Sequence, residues 1–121
     1  GSLPRLDRGK AIALADWAGA RGEDTRRDLV IRLMDLFLAR LARTGVAGPP
    51  GTEATPGEAA ILTRLSPDPH AARLWAMAQQ ELGDTLRRGL SANLDPSALI
   101  LDTFLALDAR AQALGPAESS P

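Results

Sequence analysis

The chain has no cysteine and no tyrosine, one histidine, one lysine, two tryptophans and two phenylalanines. Each scarcity removes a class of function. Without thiols there is neither a disulfide nor a thiolate metal site, which fits a reducing compartment. The single histidine, His70, leaves no second imidazole or thiol to complete a metal site. It also gives no basis for a Ser/His/Asp set around Ser91 or Ser97. Carboxylate neighbours such as Glu23/Asp24 and Glu81/Asp84 fall on polar helix faces, where they serve as solvated structural charges. No apolar run reaches the 18 residues of a membrane span, and the first residues lack the apolar core of a secretory signal. The expected setting is therefore the cytoplasm. Charge of one sign is also missing: 14 basic against 15 acidic residues leave −1, without the basic surplus of a domain that grips nucleic acid by itself. These absences predict no catalytic residue, no cofactor and no metal.

What is present is alanine, 22 residues, and leucine, 20, with few β-branched residues. That balance favours helix over strand. A chain of 121 residues makes one domain, burying roughly 65% of its unfolded surface. The pattern predicts an all-α fold, a compact bundle of about five helices spanning residues 3–114. A flexible Gly/Pro/Thr-rich loop is expected within 45–57 and a disordered polar tail at 115–121, while Gly1-Ser2 reads as a scar of tag removal. No internal repeat is visible.

Asp7 is placed to cap a first helix of about 13 residues that ends at Gly22, with Ile12, Ala15 and Trp17 as inward candidates. A second helix is expected from near Asp24 to Gly45, a left-handed terminator. Its polar positions Asp28, Arg32, Asp35 and Arg43 form a thin wet edge, and the rest from Leu29 through Leu41 reads as core. Thr55-Pro-Gly-Glu58 has the form of a capping box, followed by a short helix with Ile61, Leu62 and Leu65 inward. Asp68 and Pro69 open a fourth helix whose apolar seam is Ala71, Leu74, Trp75, Ala78, Leu82, Leu86 and Leu90. Asp95 and Pro96 open a fifth, apolar on nearly every side: Leu99, Ile100, Leu101, Phe104, Leu105 and Leu107, interrupted by Asp102 and Thr103. A bundle helix ordinarily carries one apolar stripe, so this helix is expected to bury part of itself against something outside the domain.

Two motifs invite a chemical reading. Gly48-Pro-Pro-Gly-Thr-Glu-Ala-Thr55 overlaps an ATPase phosphate loop but has Glu53 where a glycine is required and Ala54 where the lysine belongs, so nucleotide binding is rejected. Arg26-Arg27 and Arg87-Arg88 form the basis of an alternative class of function, a DNA-contacting helical module.

The segment Asn93-Leu-Asp-Pro-Ser-Ala-Leu-Ile-Leu-Asp-Thr-Phe-Leu-Ala-Leu107 resembles the end of the delta-prime subunits of the bacterial DNA polymerase III clamp loader. Leu3 to Arg8, Asp28 to Arg43 and Trp75 to Leu82 are similar to that family as well, notably its α-proteobacterial members. The collar domains of gamma/tau and delta share the apolar pattern and stand as alternatives. The resemblance implies a non-catalytic collar domain of a DNA polymerase holoenzyme, which packs with the C-terminal domains of delta and gamma/tau subunits to support sliding-clamp loading in DNA replication. It implies no cofactor, no membrane, no direct nucleic-acid contact, and an isolated chain that is mostly monomeric. The interface is expected on Ile100, Phe104 and Leu107, with Asp102, Trp17, Arg87 and Arg88 around it.

Overall fold

The computed structural model describes residues 7–49, 51 and 56–114. Its helices are α1 (Arg8–Ala18), α2 (Asp24–Ala47), α3 (Glu58–Leu65), α4 (Pro69–Ser91) and α5 (Pro96–Leu114), with no strand among the described residues. The described residues thus form an all-α bundle of five helices. The Thr55 end of the expected capping box, residues 3–6 and the tail lie outside the described residues.

Local chemistry sets the helix ends. Asp7 Oδ1 accepts from the Lys10 amide at 3.1 Å and Asp68 Oδ1 from the Ala71 amide at 2.8 Å, so both act as N-caps. Between α4 and α5 the chain turns through a Schellman motif. The Leu94 amide donates to the Gly89 carbonyl at 3.0 Å and the Asn93 amide to the Leu90 carbonyl at 3.1 Å, with Asn93 left-handed at φ 61°. Asp95 Oδ2 then accepts from the Ala98 amide at 3.2 Å, and Pro96 takes the first position of α5. The segment that carries the family resemblance is therefore, at its start, a compact device for reversing direction.

Two expected ends are displaced. The first helix stops at Ala18, short of Gly22, because α1 runs into the start of α5: a Cβ on Gly19 would stand 2.4 Å from the Ser97 amide nitrogen. Gly22, at φ 80°, makes the turn into α2 instead. Gly45 does not terminate α2, which continues to Ala47, with Gly48 at φ 82° beyond it. Gly45 is there for proximity: a Cβ would lie 2.2 Å from the Asp68 carbonyl oxygen and 2.7 Å from Ala72 Cβ.

That contact places the end of α2 against the start of α4, and the two long helices run antiparallel as the spine of the bundle. The α5 helix folds back along α4, close enough at Gly89 that a Cβ would come 2.6 Å from Leu99 Cδ2. Two apolar clusters fill the interior. One gathers Leu38, Leu41, Leu62, Leu65, Ala71, Trp75, Ala78 and Ala111. The other gathers Ala15, Ala18, Val30, Leu86 and Ile100, under α1. The α3–α4 corner is tied down by Ser66 Oγ donating to the Leu41 carbonyl at 2.6 Å and Trp75 Nε1 donating to the Leu65 carbonyl at 2.9 Å. Trp75 is a core residue, as its seam position predicts.

Several side chains expected inside are outside. On α1 the buried line is Ala11, Ala15 and Ala18, while Ile12 and Trp17 are exposed. A face of alanines lets α1 lie close on α5, and that choice of face turns the larger residues outward. On α3, Leu62 and Leu65 are buried and Ile61 is not; on α4, Leu74 sits at the rim.

Candidate interaction surface

The second helix has two apolar arcs. Val30, Leu38 and Leu41 point into the bundle, with Thr44 beside them. Leu29, Leu33, Leu36 and Phe37, at i, i+4, i+7 and i+8, line another arc that the other described residues leave half open. Their exposures are 48, 53, 47 and 37%, so about half of each side chain faces water. Covering such a leucine would contribute roughly 1 kcal/mol, half the value of a full burial. Contiguous apolar surface of this kind marks interaction sites.

Arginine frames the arc. At one end Arg26 lies over the Trp17 ring, 5.0 Å from its centroid, and its Nε is 3.3 Å from Glu23. At the other end Arg40 Nη1 donates to both Glu58 oxygens at 2.9 Å, clamping α3 onto α2. Arg32 borders the arc on one side and Arg43 extends it beyond Arg40; neither makes an ion pair among the described residues. The two fixed arginines thus shape the ends of the face, while Arg32 and Arg43 share their exposed edge with Asp28 and Asp35.

The expected interface residues fall elsewhere. Ile100 is 0% exposed and belongs to the core beneath α1, so it is withdrawn as a contact residue. Phe104 and Leu107 are half-buried against the chain's own clusters. Of the large apolar residues from Leu99 to Leu107, Ile100 is buried and the others are half-buried, with α5 packed on α1 and α4. The surplus apolar surface sits mainly on α2 and α1. Asp102 is exposed on α5, outside any ion pair among the described residues. Trp17 is 43% exposed and joins the α2 face through Arg26. Arg87 pairs with Asp84, and Arg88 stands exposed in the last turn of α4.

The antiparallel spine brings the two arginine pairs to the same end of the bundle, but acids accompany them. Arg26 pairs with Glu23, and Arg27 lies 3.5 Å from Asp24 and 3.9 Å from Asp28. The cationic density a phosphate backbone would need is neutralised at short range.

A second concavity, of about 510 Å³, opens between the α3–α4 corner and the end of α5, floored by Leu65, Ala71, Trp75 and Leu114. His70 lies on its rim, exposed in the first turn of α4. Among the described residues no group of three or more His, Asp or Glu is placed to hold a metal. Gly48 and Pro49 follow a helix, whereas a phosphate loop follows a strand.

The residues missed from sequence are Leu29, Leu33, Leu36 and Phe37. Their signal was the same one read in α5, an apolar arc too wide for one core.

No family model, curated protein or solved structure matches the chain.

Proposed function

We propose that the chain is a non-catalytic assembly domain, the collar domain of a delta-prime-type clamp-loader subunit, acting in the cytoplasm beside delta and gamma/tau. The observation that carries the reading is the arc of Leu29, Leu33, Leu36 and Phe37, left half open among the described residues of a chain of nearly neutral charge. A free-standing domain gains nothing from such a face; a subunit that must lie against sisters gains a water-excluding contact whose polar rim selects the neighbour. The resemblance of Asn93 to Leu107 supplies the family, and the all-α bundle is compatible with it.

The docking face in this reading is α2, with Trp17 beside it, in place of α5. Leu33 is the most exposed of the four and lies mid-arc, so it is the residue to change. Leu33→Asp is expected to keep the thermal midpoint of the native chain and to lose capture of purified delta and gamma/tau subunits in a pull-down. Undiminished capture by a folded Leu33→Asp chain would overturn the reading. Phe104→Asp is a poor test, because Phe104 packs on the chain's own core and its loss would be felt as instability.

A further inference from the structure

We infer that α1 is a strap: the least tightly held helix, which lifts as a unit while α2 to α5 stay packed, and by lifting bares the apolar side of α5. This stands independently of α2 as a docking face. The hold of α1 is made of small groups. It buries Ala11, Ala15 and Ala18 and nothing larger, and its Ile12, Leu14 and Trp17 are exposed. Each of the other helices buries at least one leucine or isoleucine. Apolar docking scales with the area taken out of water, and alanine methyls supply the least of it.

Polar ties are missing as well. Among the described residues no ion pair or side-chain hydrogen bond joins α1 to another helix. Its Asp7 bond is its own cap, and the one contact across to α2 is the Arg26 guanidinium over the Trp17 ring, at the surface. The contrast is α3, shorter at 8 residues against 11, yet fastened at both ends. Arg40 holds Glu58 at its start, and at its finish Ser66 bonds the Leu41 carbonyl while Trp75 bonds that of Leu65. Few buried apolar contacts and no cross-links are the marks of a unit that opens locally.

Once lifted, α1 is too short to persist as a helix in water, so the arm gains chain entropy. Its connector, residues 19–23, buries no side chain and turns on Gly22 at φ 80°. Beneath α1, Ala15 and Ala18 share a cluster with Ile100, and Leu101 and Phe104 pack against it. Lifting α1 opens that cluster on one side. The apolar excess of α5 is then conditional, hidden while the strap is down and available when it is up.

Because the chain has no cysteine, one introduced thiol reports one position. Ala15→Cys sits between α1 and the cluster below it, and Ala78→Cys sits in the other cluster, on α4; both alanines are buried. Under native conditions a disulfide reagent is expected to label Ala15→Cys about tenfold faster than Ala78→Cys. In mild urea the first rate should rise gently and the second steeply, since the slope follows the surface exposed by each opening. Hydrogen exchange on the unsubstituted chain needs no variant to fold: the hydrogen-bonded amides of α1 should exchange ahead of those of α3. Gly19→Ala adds a methyl 2.4 Å from the Ser97 amide nitrogen, at a φ of −94° that suits alanine. It should speed labelling of Ala15→Cys about tenfold more, leave Ala78→Cys unmoved, and increase binding of anilinonaphthalene sulfonate. Equal rates and urea slopes at the two thiols, or α3 amides exchanging ahead of those of α1, overturn the inference. So does a Gly19→Ala change that speeds both thiols alike or neither. Dye binding unchanged in Gly19→Ala would refute the baring of α5.

Discussion

Asn93 and Ile100 belong to the same fifteen-residue signature and do different work. Ile100 is enclosed by Ala15, Ala18, Val30 and Leu86, so its role is cohesion. Asn93 is exposed, but its backbone sits at φ 61°, the conformation that the Schellman closure of α4 demands. For an alanine that conformation costs roughly 1 kcal/mol more than for Gly, which has no Cβ to clash, or Asn, whose short polar side chain tolerates it. Asn93→Ala should therefore lower the unfolding free energy by about 1 kcal/mol in a urea titration, and Asn93→Gly should stay within about 0.5 kcal/mol of native. Equal losses for the two would remove backbone strain as the reason for Asn at this corner. The caps Asp7, Asp68 and Asp95 were legible from sequence because capping is local. The left-handed residue was legible only as a turn of unstated form.

Among the elements, the glycines of the long helices separate two effects that sequence alone merges. Replacing a mid-helix glycine by alanine ordinarily stabilises by up to about 1 kcal/mol through propensity. At Gly83 the new methyl would meet only the guanidinium tip of Arg87 at 3.4 Å, a group that can move, so Gly83→Ala should gain about 0.5–1 kcal/mol. At Gly45 it would overlap the Asp68 backbone carbonyl at 2.2 Å, where the crossing of α2 and α4 leaves no give. Overpacking then outweighs propensity, and Gly45→Ala should lose about 1–3 kcal/mol. Opposite signs in the two thermal midpoints are the check. Reading Gly45 as a terminator failed for this reason: closeness to α4 is a tertiary fact, with no local trace. Likewise, the number and order of helices followed from alanine, leucine and breaker residues, but the face each helix buries did not. On α1 the sequence offers Ile12 and Trp17 as core and the bundle takes Ala11, Ala15 and Ala18. On α2 it offers one broad apolar arc, and only packing decides which part is spent inside.

At the scale of the whole molecule, that unspent arc is not expected by itself to bring two copies of the 12.7 kDa domain together. Its arginine rim supplies the reason. An antiparallel pairing that lays Leu33 of one copy on Leu36 of another sets Arg26 against Arg43 and Arg40 against Leu29 at both ends. Arg26 and Arg40 would take their Glu23 and Glu58 pairs out of water with them, a desolvation that opposes what the leucines favour. The chain is therefore expected to sediment as a monomer at low ionic strength. Salt tests this, because exposed charges are screened over about 10 Å at 0.1 M and about 3 Å at 1 M. Raising salt screens the charged rim and leaves the apolar arc, so self-association should increase. Sedimentation velocity across one salt series measures it. If association instead falls as salt rises, the rim charges draw two copies together, and the leucines do not decide what α2 accepts.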